Sequence, residues 1–206
     1  MPDPTFAVAD IFFSIQGEGM NTGRAALFLR LAGCNLACPW CDTDYLIRER
    51  LSIQEIRNRL AELIPDSYPK GLRRRPFLVL TGGEPTIQDI PELVDGLADY
   101  ELALETNGLN SVPPGFSWVA VSPKRLGLSP SAMEMATEFK VVVDEKTDPM
   151  PLIAECLRSS ADRKVPIWLQ PEGNKGICVD ACEKLLCVAP ERLRIGHQMH
   201  KIRNWK

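Results

Sequence analysis

Short apolar, β-branched runs alternate along the chain with longer stretches of helical periodicity. The runs predict strands over residues 7–15, 25–31, 77–81, 101–106, 118–122, 138–143, 167–170 and 192–195. Helices are predicted over 52–64, 90–99, 150–160 and 177–188. Ser52-Ile53-Gln54-Glu55 has the spacing of a capping box, with Ser52 as N-cap and Glu55 three residues on. Strands alternating with helices form the pattern of a parallel α/β sheet. Three predicted strands run into polar or glycine-rich residues: Thr81-Gly82-Gly83-Glu84-Pro85, Glu105-Thr106-Asn107-Gly108 and Ser122-Pro123-Lys124. In a β/α barrel the C-terminal ends of the strands carry the active site. A complete barrel takes about 250 residues. A chain of 206 residues with no internal repeat therefore predicts a partial or modified (β/α) barrel in one domain over 1–206. The stretch 63–76, with Pro65, Pro69, Gly71 and Arg73-Arg74-Arg75-Pro76, reads as a solvated connecting loop.

Charge narrows the range of functions. Lys and Arg number 24 against 27 Asp and Glu, a formal net charge of -3. That balance excludes nucleic-acid binding by bulk basic charge. No stretch reaches the roughly 18 consecutive apolar residues that cross a bilayer. The start, Met1-Pro2-Asp3-Pro4, lacks the basic and apolar regions of a signal peptide. The expectation is a cytoplasmic protein with no membrane partner. Seven cysteines in a reducing compartment are then core residues, metal ligands or catalytic groups rather than disulfides.

Three of the seven fall in Gly33-Cys34-Asn35-Leu36-Ala37-Cys38-Pro39-Trp40-Cys41-Asp42-Thr43, directly after a predicted strand. Three thiolates so close in sequence can converge on one metal centre at little cost in chain entropy. A structural zinc site takes four ligands, and the histidines, His197 and His200, lie far off in sequence. A cubane of four irons and four sulfides also takes four ligands, so three cysteines leave one iron open for substrate or cofactor. Cys178, Cys182 and Cys187 share one predicted helix, with Cys178 and Cys182 on one face; together with Cys156 they read as buried apolar cysteines.

The CxxxCx-aromatic-C spacing of Cys34, Cys38, Trp40 and Cys41 resembles the radical S-adenosylmethionine (SAM) enzymes, and Gly82-Gly83-Glu84-Pro85 resembles their SAM-binding segment. The resemblance implies a barrel of the radical SAM type holding one [4Fe-4S] cluster on Cys34, Cys38 and Cys41. SAM would chelate the open iron. It also implies SAM contacts at Trp40, Asp42, Gly83, Glu84, Ser122, Pro123, Lys124 and Gln170. Gln16-Gly17-Glu18-Gly19, Gly23-Arg24, Arg30, Cys41-Asp42-Thr43, Ser122-Pro123-Lys124 and Gln198-Met199-His200-Lys201 together resemble the 7-carboxy-7-deazaguanine synthase (QueE) family of queuosine and 7-deazapurine biosynthesis. That resemblance implies ring contraction of 6-carboxy-5,6,7,8-tetrahydropterin with loss of ammonia, begun by hydrogen abstraction at C6.

Each handle of that substrate has a candidate partner. Arg30 suits its carboxylate as a bidentate guanidinium. Glu18, with Ile15, Gln16 and Gly17, suits the N–H donors of its aminopyrimidine edge. Thr81 and His200 match further substrate-contacting positions, and Thr43 matches the one protein ligand of a magnesium ion, a hard cation that keeps several waters. The end of the chain, Ile202 to Lys206, departs from the family's small apolar tail, and no side-chain role is carried over to Lys206.

Two other classes compete with this reading: an activase that installs a glycyl radical on a partner protein, and a non-catalytic zinc module. The polar Gln16–Gly19 segment and Arg30 favour a compact anionic heterocycle over a protein substrate. Partners are less legible. Residues 48–75 hold basic side chains at 48, 50, 57, 59, 70, 73, 74 and 75 against acids at 49, 55, 62 and 66. This local excess suits an acidic electron donor such as flavodoxin, and the family resemblance suggests a homodimer.

Overall fold

The computed structural model describes residues 3–65 and 75–203. The expected segment around Arg73 and Arg74, and the last three residues, lie outside them, as does the side chain of His200. The chain divides into two compact units, one of residues 1–14, 25–105 and 113–118, the other of residues 15–24, 106–112 and 119–206.

The first unit is built on β1 (Thr5–Ile15), β2 (Ala25–Leu31), β3 (Glu49–Ser52), β4 (Phe77–Gly82) and β5 (Glu101–Thr106), in the order β3-β1-β2-β4-β5. β3 pairs antiparallel with β1, whereas β2, β4 and β5 are parallel neighbours. Parallel strands are covered on both faces and so carry apolar residues at both parities. Leu27, Leu29 and Leu31 of β2, Leu78 and Leu80 of β4 and Leu102 and Leu104 of β5 fill one face and are all buried. The other face holds Ala26, Phe77, Val79 and Ala103, with Phe28 and Trp118 packed against them. Two helices complete the unit, α1 (Ile53–Leu63) and α2 (Pro91–Gly96). The capping box at the start of α1 forms as its spacing predicts. The Glu55 backbone N–H donates to Ser52 Oγ at 3.3 Å, and the Ser52 N–H donates to Glu55 Oε2 at 2.8 Å.

The second unit holds β6 (Trp118–Val121), β7 (Glu138–Val143), β8 (Ile167–Pro171) and β9 (Leu193–Ile195), ordered β6-β7-β8-β9 and parallel throughout. Its helices are α3 (Pro130–Met135), α4 (Met150–Ser159), α5 (Gly176–Leu185) and α6 (Met199–Arg203). Phe139, Val141, Ile153, Ile167 and Leu169 are among its fully buried side chains.

All eight expected strands and four expected helices are present. Three elements escape the periodicity. β3 has no apolar run, since Glu49 and Arg50 make half of it, and it exists because Thr5 to Val8 of β1 pair with it. α3 is one and a half turns long, too short to show a period; its sequence signals were the N-cap Ser129, which accepts from the Ala132 N–H at 3.2 Å, and Pro130 at the first helical position. α6 is equally short. The helix expected to run to residue 188 ends at Leu185 and tightens into a 3-10 turn over Leu186–Val188. Among the described residues no helix is long and apolar enough to cross a membrane.

Ser52→Ala removes the cap of α1 and should lower unfolding stability by about 1 kcal/mol in urea titration. An unchanged denaturation midpoint would show that the cap is idle.

Candidate active site

In the first unit the cysteine loop is fastened at both ends. The Gly33 N–H donates to the Tyr45 carbonyl at 2.9 Å, closing the loop, and the Gly33 carbonyl accepts the Glu84 N–H at 3.0 Å. β2 and β4 bring these segments side by side, with Leu31 opposite Gly82 in register. The approach is so close that a Cβ at position 83 would lie 2.2 Å from the Gly33 oxygen and 2.7 Å from Cys34 Cβ. Only glycine fits there, which gives the second glycine of Gly82-Gly83-Glu84-Pro85 a physical reason.

Within the loop the Cys41 N–H donates to the Cys38 carbonyl at 3.1 Å, and the Leu36 N–H approaches Cys34 Sγ at 3.4 Å. Cys34 and Cys38 are half-buried and Cys41 is exposed, and none of the three is in a disulfide. Among the described residues no three His, Cys, Asp or Glu side chains are gathered as a metal site. The donor set nevertheless fits a cluster: three soft thiols on one accessible, closed loop are what an iron–sulfur centre takes. Trp40 and Thr43 on this loop are half-buried and Asp42 is exposed.

Arg30 and Thr81 stand opposite each other across β2 and β4. The Arg30 guanidinium lies 5.6 Å from the Phe12 ring centroid, and Phe12 stacks on Phe28 with centroids 5.0 Å apart. A planar cation over an aromatic face is held in orientation by it, and the Arg30 charge also helps to hold the Asp44 carboxyl below its usual range. Glu84 is fully buried, with Oε1 accepting from the Thr86 N–H at 3.1 Å and from its hydroxyl at 2.7 Å.

The second unit assembles a different set. The loop after β1 is closed by two backbone bonds, Gln16 N–H to the Arg24 carbonyl and Gly23 N–H to the Gln16 carbonyl, both at 2.8 Å. Gly19 has a left-handed backbone with φ of +67°, and a Cβ there would sit 2.4 Å from Glu138 Oε1. Glu138 Oε2 in turn accepts the Met20 N–H at 2.8 Å.

This anchoring leaves Glu18 among three donors. Lys140 Nζ and Gln170 Nε2 each reach Oε2 at 3.1 Å, and Gln198 Nε2 reaches Oε1 at 3.1 Å. The Glu18 N–H donates to Gln16 Oε1 at 3.2 Å, and Gln16 and Gly17 are buried while Ile15 is half-buried. The Met199 N–H donates to the Gly17 carbonyl at 3.1 Å, so the start of α6 is tied to the same loop. Ser122 Oγ donates to the Lys140 carbonyl at 2.8 Å and accepts from Lys124 Nζ, while Pro123 is buried. The structure thus places Gln170, expected among SAM contacts, on Glu18.

Lys140, Gln198 and Glu138 were missed as site residues. The available signal was the strand Glu138-Phe139-Lys140-Val141-Val142-Val143, where two charged residues sit two apart in an otherwise apolar run and therefore share a face.

The remaining cysteines divide. Cys156, Cys178 and Cys182 are buried as expected; burial pushes the Cys182 thiol up to about 12 and raises Cys156 and Cys178 as well. Cys187 corrects the expectation: it is exposed, because five residues past Cys182 the helical repeat already points to the opposite face, away from the one shared by Cys178 and Cys182. The basic segment is also less free than its composition implies. Arg48, Arg57 and Arg59 pair with Asp44, Asp99 and Glu49, so much of its charge is met locally.

A closed three-cysteine loop after one parallel strand, fastened to a Gly-Gly-Glu-Pro segment after the next, is an arrangement in an α/β fold that fits the resemblance to the radical SAM class. No family model matches the chain. It is 43% identical to the 7-carboxy-7-deazaguanine synthase of Neisseria meningitidis over 148 residues, covering 69% of this chain and 65% of that protein, just under two thirds of its length. It is 34% identical to the synthase of Haemophilus influenzae, covering 79% and 74%, and 31% identical to that of Rhodospirillum rubrum, covering 98% and 94%. The crystal structure of QueE from Escherichia coli matches with a TM-score of 0.74 at 27% identity over 95% of both chains. The chain belongs to the 7-carboxy-7-deazaguanine synthase family, and its mixed α/β fold, expected from the sequence, is similar to that crystal structure.

Two outcomes test the site. Gly83→Ala should sharply reduce the iron retained after anaerobic reconstitution, against the roughly four irons per chain of an intact cubane; undiminished iron would show that the close approach to Cys34 is not needed. In the metal-free protein at about pH 8, alkylation should label Cys34, Cys38, Cys41 and Cys187 and spare Cys156, Cys178 and Cys182. Labelling of Cys156 as fast as Cys187 would contradict the core assignment.

Proposed function

We propose that this chain converts 6-carboxy-5,6,7,8-tetrahydropterin to 7-carboxy-7-deazaguanine and ammonia. Substrate and products balance with no net oxidant or reductant, since the product is the substrate less one NH3. Cys34, Cys38 and Cys41 would hold a [4Fe-4S] cluster. SAM contacts fall to Trp40, Asp42, Gly83, Glu84 and the Ser122-Pro123-Lys124 segment, with Gln170 reaching it beyond its bond to Glu18. When bound, these two groups supply a carbon radical able to take the hydrogen from C6.

The chain's own residues bind and orient the substrate. The observation that carries this reading is a pair of acceptors in one place: the Glu18 carboxylate, 17% exposed, and Gln198 Oε1, a buried oxygen without a hydrogen-bond partner among the described residues. A buried acceptor left open costs free energy unless a ligand donates to it. Two neighbouring acceptors suit the adjacent N–H groups of a 2-aminopyrimidinone edge. Arg30, steadied on Phe12, supplies the fork for the substrate carboxylate, with Thr81 beside it. Thr43 is the proposed protein ligand of a magnesium ion, and His200 a further substrate contact. A homodimeric assembly and a flavodoxin-like electron donor complete the proposal on the strength of family resemblance. An activase acting on protein is not favoured, since the relatives are synthases by name.

The test is anaerobic turnover of the reconstituted enzyme with SAM, reductant, magnesium and carboxytetrahydropterin. Product and ammonia should form in equal amounts and vanish in Cys34→Ala. Arg30→Ala should lower kcat/KM roughly tenfold to a hundredfold, matching the about 1.5–3 kcal/mol of a hydrogen bond to a charged group. Absence of product from the wild-type enzyme, or product that survives Cys34→Ala, would overturn the assignment.

A further inference from the structure

Lys140 is a buried charge that the reaction chemistry leaves without a role. Its side chain is 4% exposed on the apolar strand β7. An ammonium taken out of water is strongly disfavoured unless a partner of opposite charge meets it. That partner is Glu18, at 3.1 Å and far away in sequence. The backbone of the same residue does a second job, since its carbonyl accepts the Ser122 hydroxyl that also receives Lys124. Lys140 therefore touches both segments of the second unit that the function needs, the Gln16–Gly19 loop through its side chain and Ser122-Pro123-Lys124 through its carbonyl.

We infer that Lys140 is a positioning residue for substrate recognition: its ammonium holds Glu18 ionised and fixed in orientation, so that the carboxylate meets the substrate as an acceptor only. The inference rests on the function proposed above and deepens it. An ionised carboxylate accepts and cannot donate, whereas a protonated one also donates. Gln170 and Gln198 donate to Glu18 as well, but their amides are neutral, and among these three donors only Lys140 supplies the charge that favours the ionised form. Glu18 so held selects a ring edge that presents N–H groups and rejects one that presents carbonyl oxygens.

Lys140→Met keeps an unbranched side chain one atom shorter, and the backbone carbonyl, while removing the charge. In the reconstituted enzyme it should raise KM for carboxytetrahydropterin roughly tenfold to a hundredfold. Because the Ser122 contact is made by the backbone, SAM affinity measured by equilibrium dialysis should stay within about twofold, a split that general loss of structure would not give. Glu18→Gln should raise KM similarly. The double variant E18Q/K140M should match the worse single variant instead of multiplying the two losses, because the two side chains act as one unit.

An unchanged KM in K140M with an active wild-type enzyme would overturn the inference alone, and so would losses that multiply in the double variant. If K140M does not fold, E18Q/K140M, which removes both charges of the pair, is compared with E18Q. Equal KM supports the inference and a further tenfold loss contradicts it. A wild-type enzyme that neither binds nor converts the pterin would overturn the function reading and this inference with it.

Discussion

A carboxylate that is largely withdrawn from water keeps its charge only if donors replace the solvent it has lost, and this requirement organises the second unit around Glu18. Three strands or loops each send one donor: Lys140 from β7, Gln170 from the end of β8 and Gln198 from the start of the last helical segment. Removing one member of such a cluster leaves charge uncompensated, so the cluster behaves as a single unit. The loop that carries Glu18 is fixed from below by its own backbone bonds and by the seat of Gly19 on Glu138. The carboxylate is thus carried on a loop and held largely by residues of packed strands.

The first unit solves a different problem, that of presenting reactive thiols without letting the loop wander. Gly33 serves both its neighbours, donating to Tyr45 and accepting from Glu84. The absence of a side chain at Gly83 lets two strand ends touch backbone to side chain, and β2 and β4 supply the parallel register that makes the contact possible. Arg30 belongs to the same strand as the cysteine loop, so the guanidinium and the thiols are set by one piece of secondary structure. Its aromatic support fixes the orientation of that guanidinium.

Much of this was legible in the residues. The strands of the core were visible because parallel strands buried on both faces read as continuous apolar runs, and the cysteine loop was visible because its ligands are local in sequence. Gly83 could be picked out by motif, although its reason, the Gly33 carbonyl 2.2 Å away from a Cβ, is a fact of tertiary contact. Lys140 and Gln198 were not assigned for the same reason: each meets Glu18 from more than a hundred residues away, and a lysine in an apolar strand reveals its partner only after folding. β3 was invisible because its strand character comes from pairing with β1 and not from its own residues. Cys187 was grouped with the buried cysteines although its spacing from Cys178 and Cys182 puts it on the opposite face of the helix, where it is exposed.

The proposed function turns on a hydrogen leaving the C6 atom of carboxytetrahydropterin. The most direct measurement is anaerobic turnover of substrate carrying deuterium at C6, followed by mass spectrometry of the recovered nucleoside. The account predicts deuterium in the 5′ position of SAM or 5′-deoxyadenosine together with formation of 7-carboxy-7-deazaguanine. Product formed with no deuterium in the adenosyl group would contradict it.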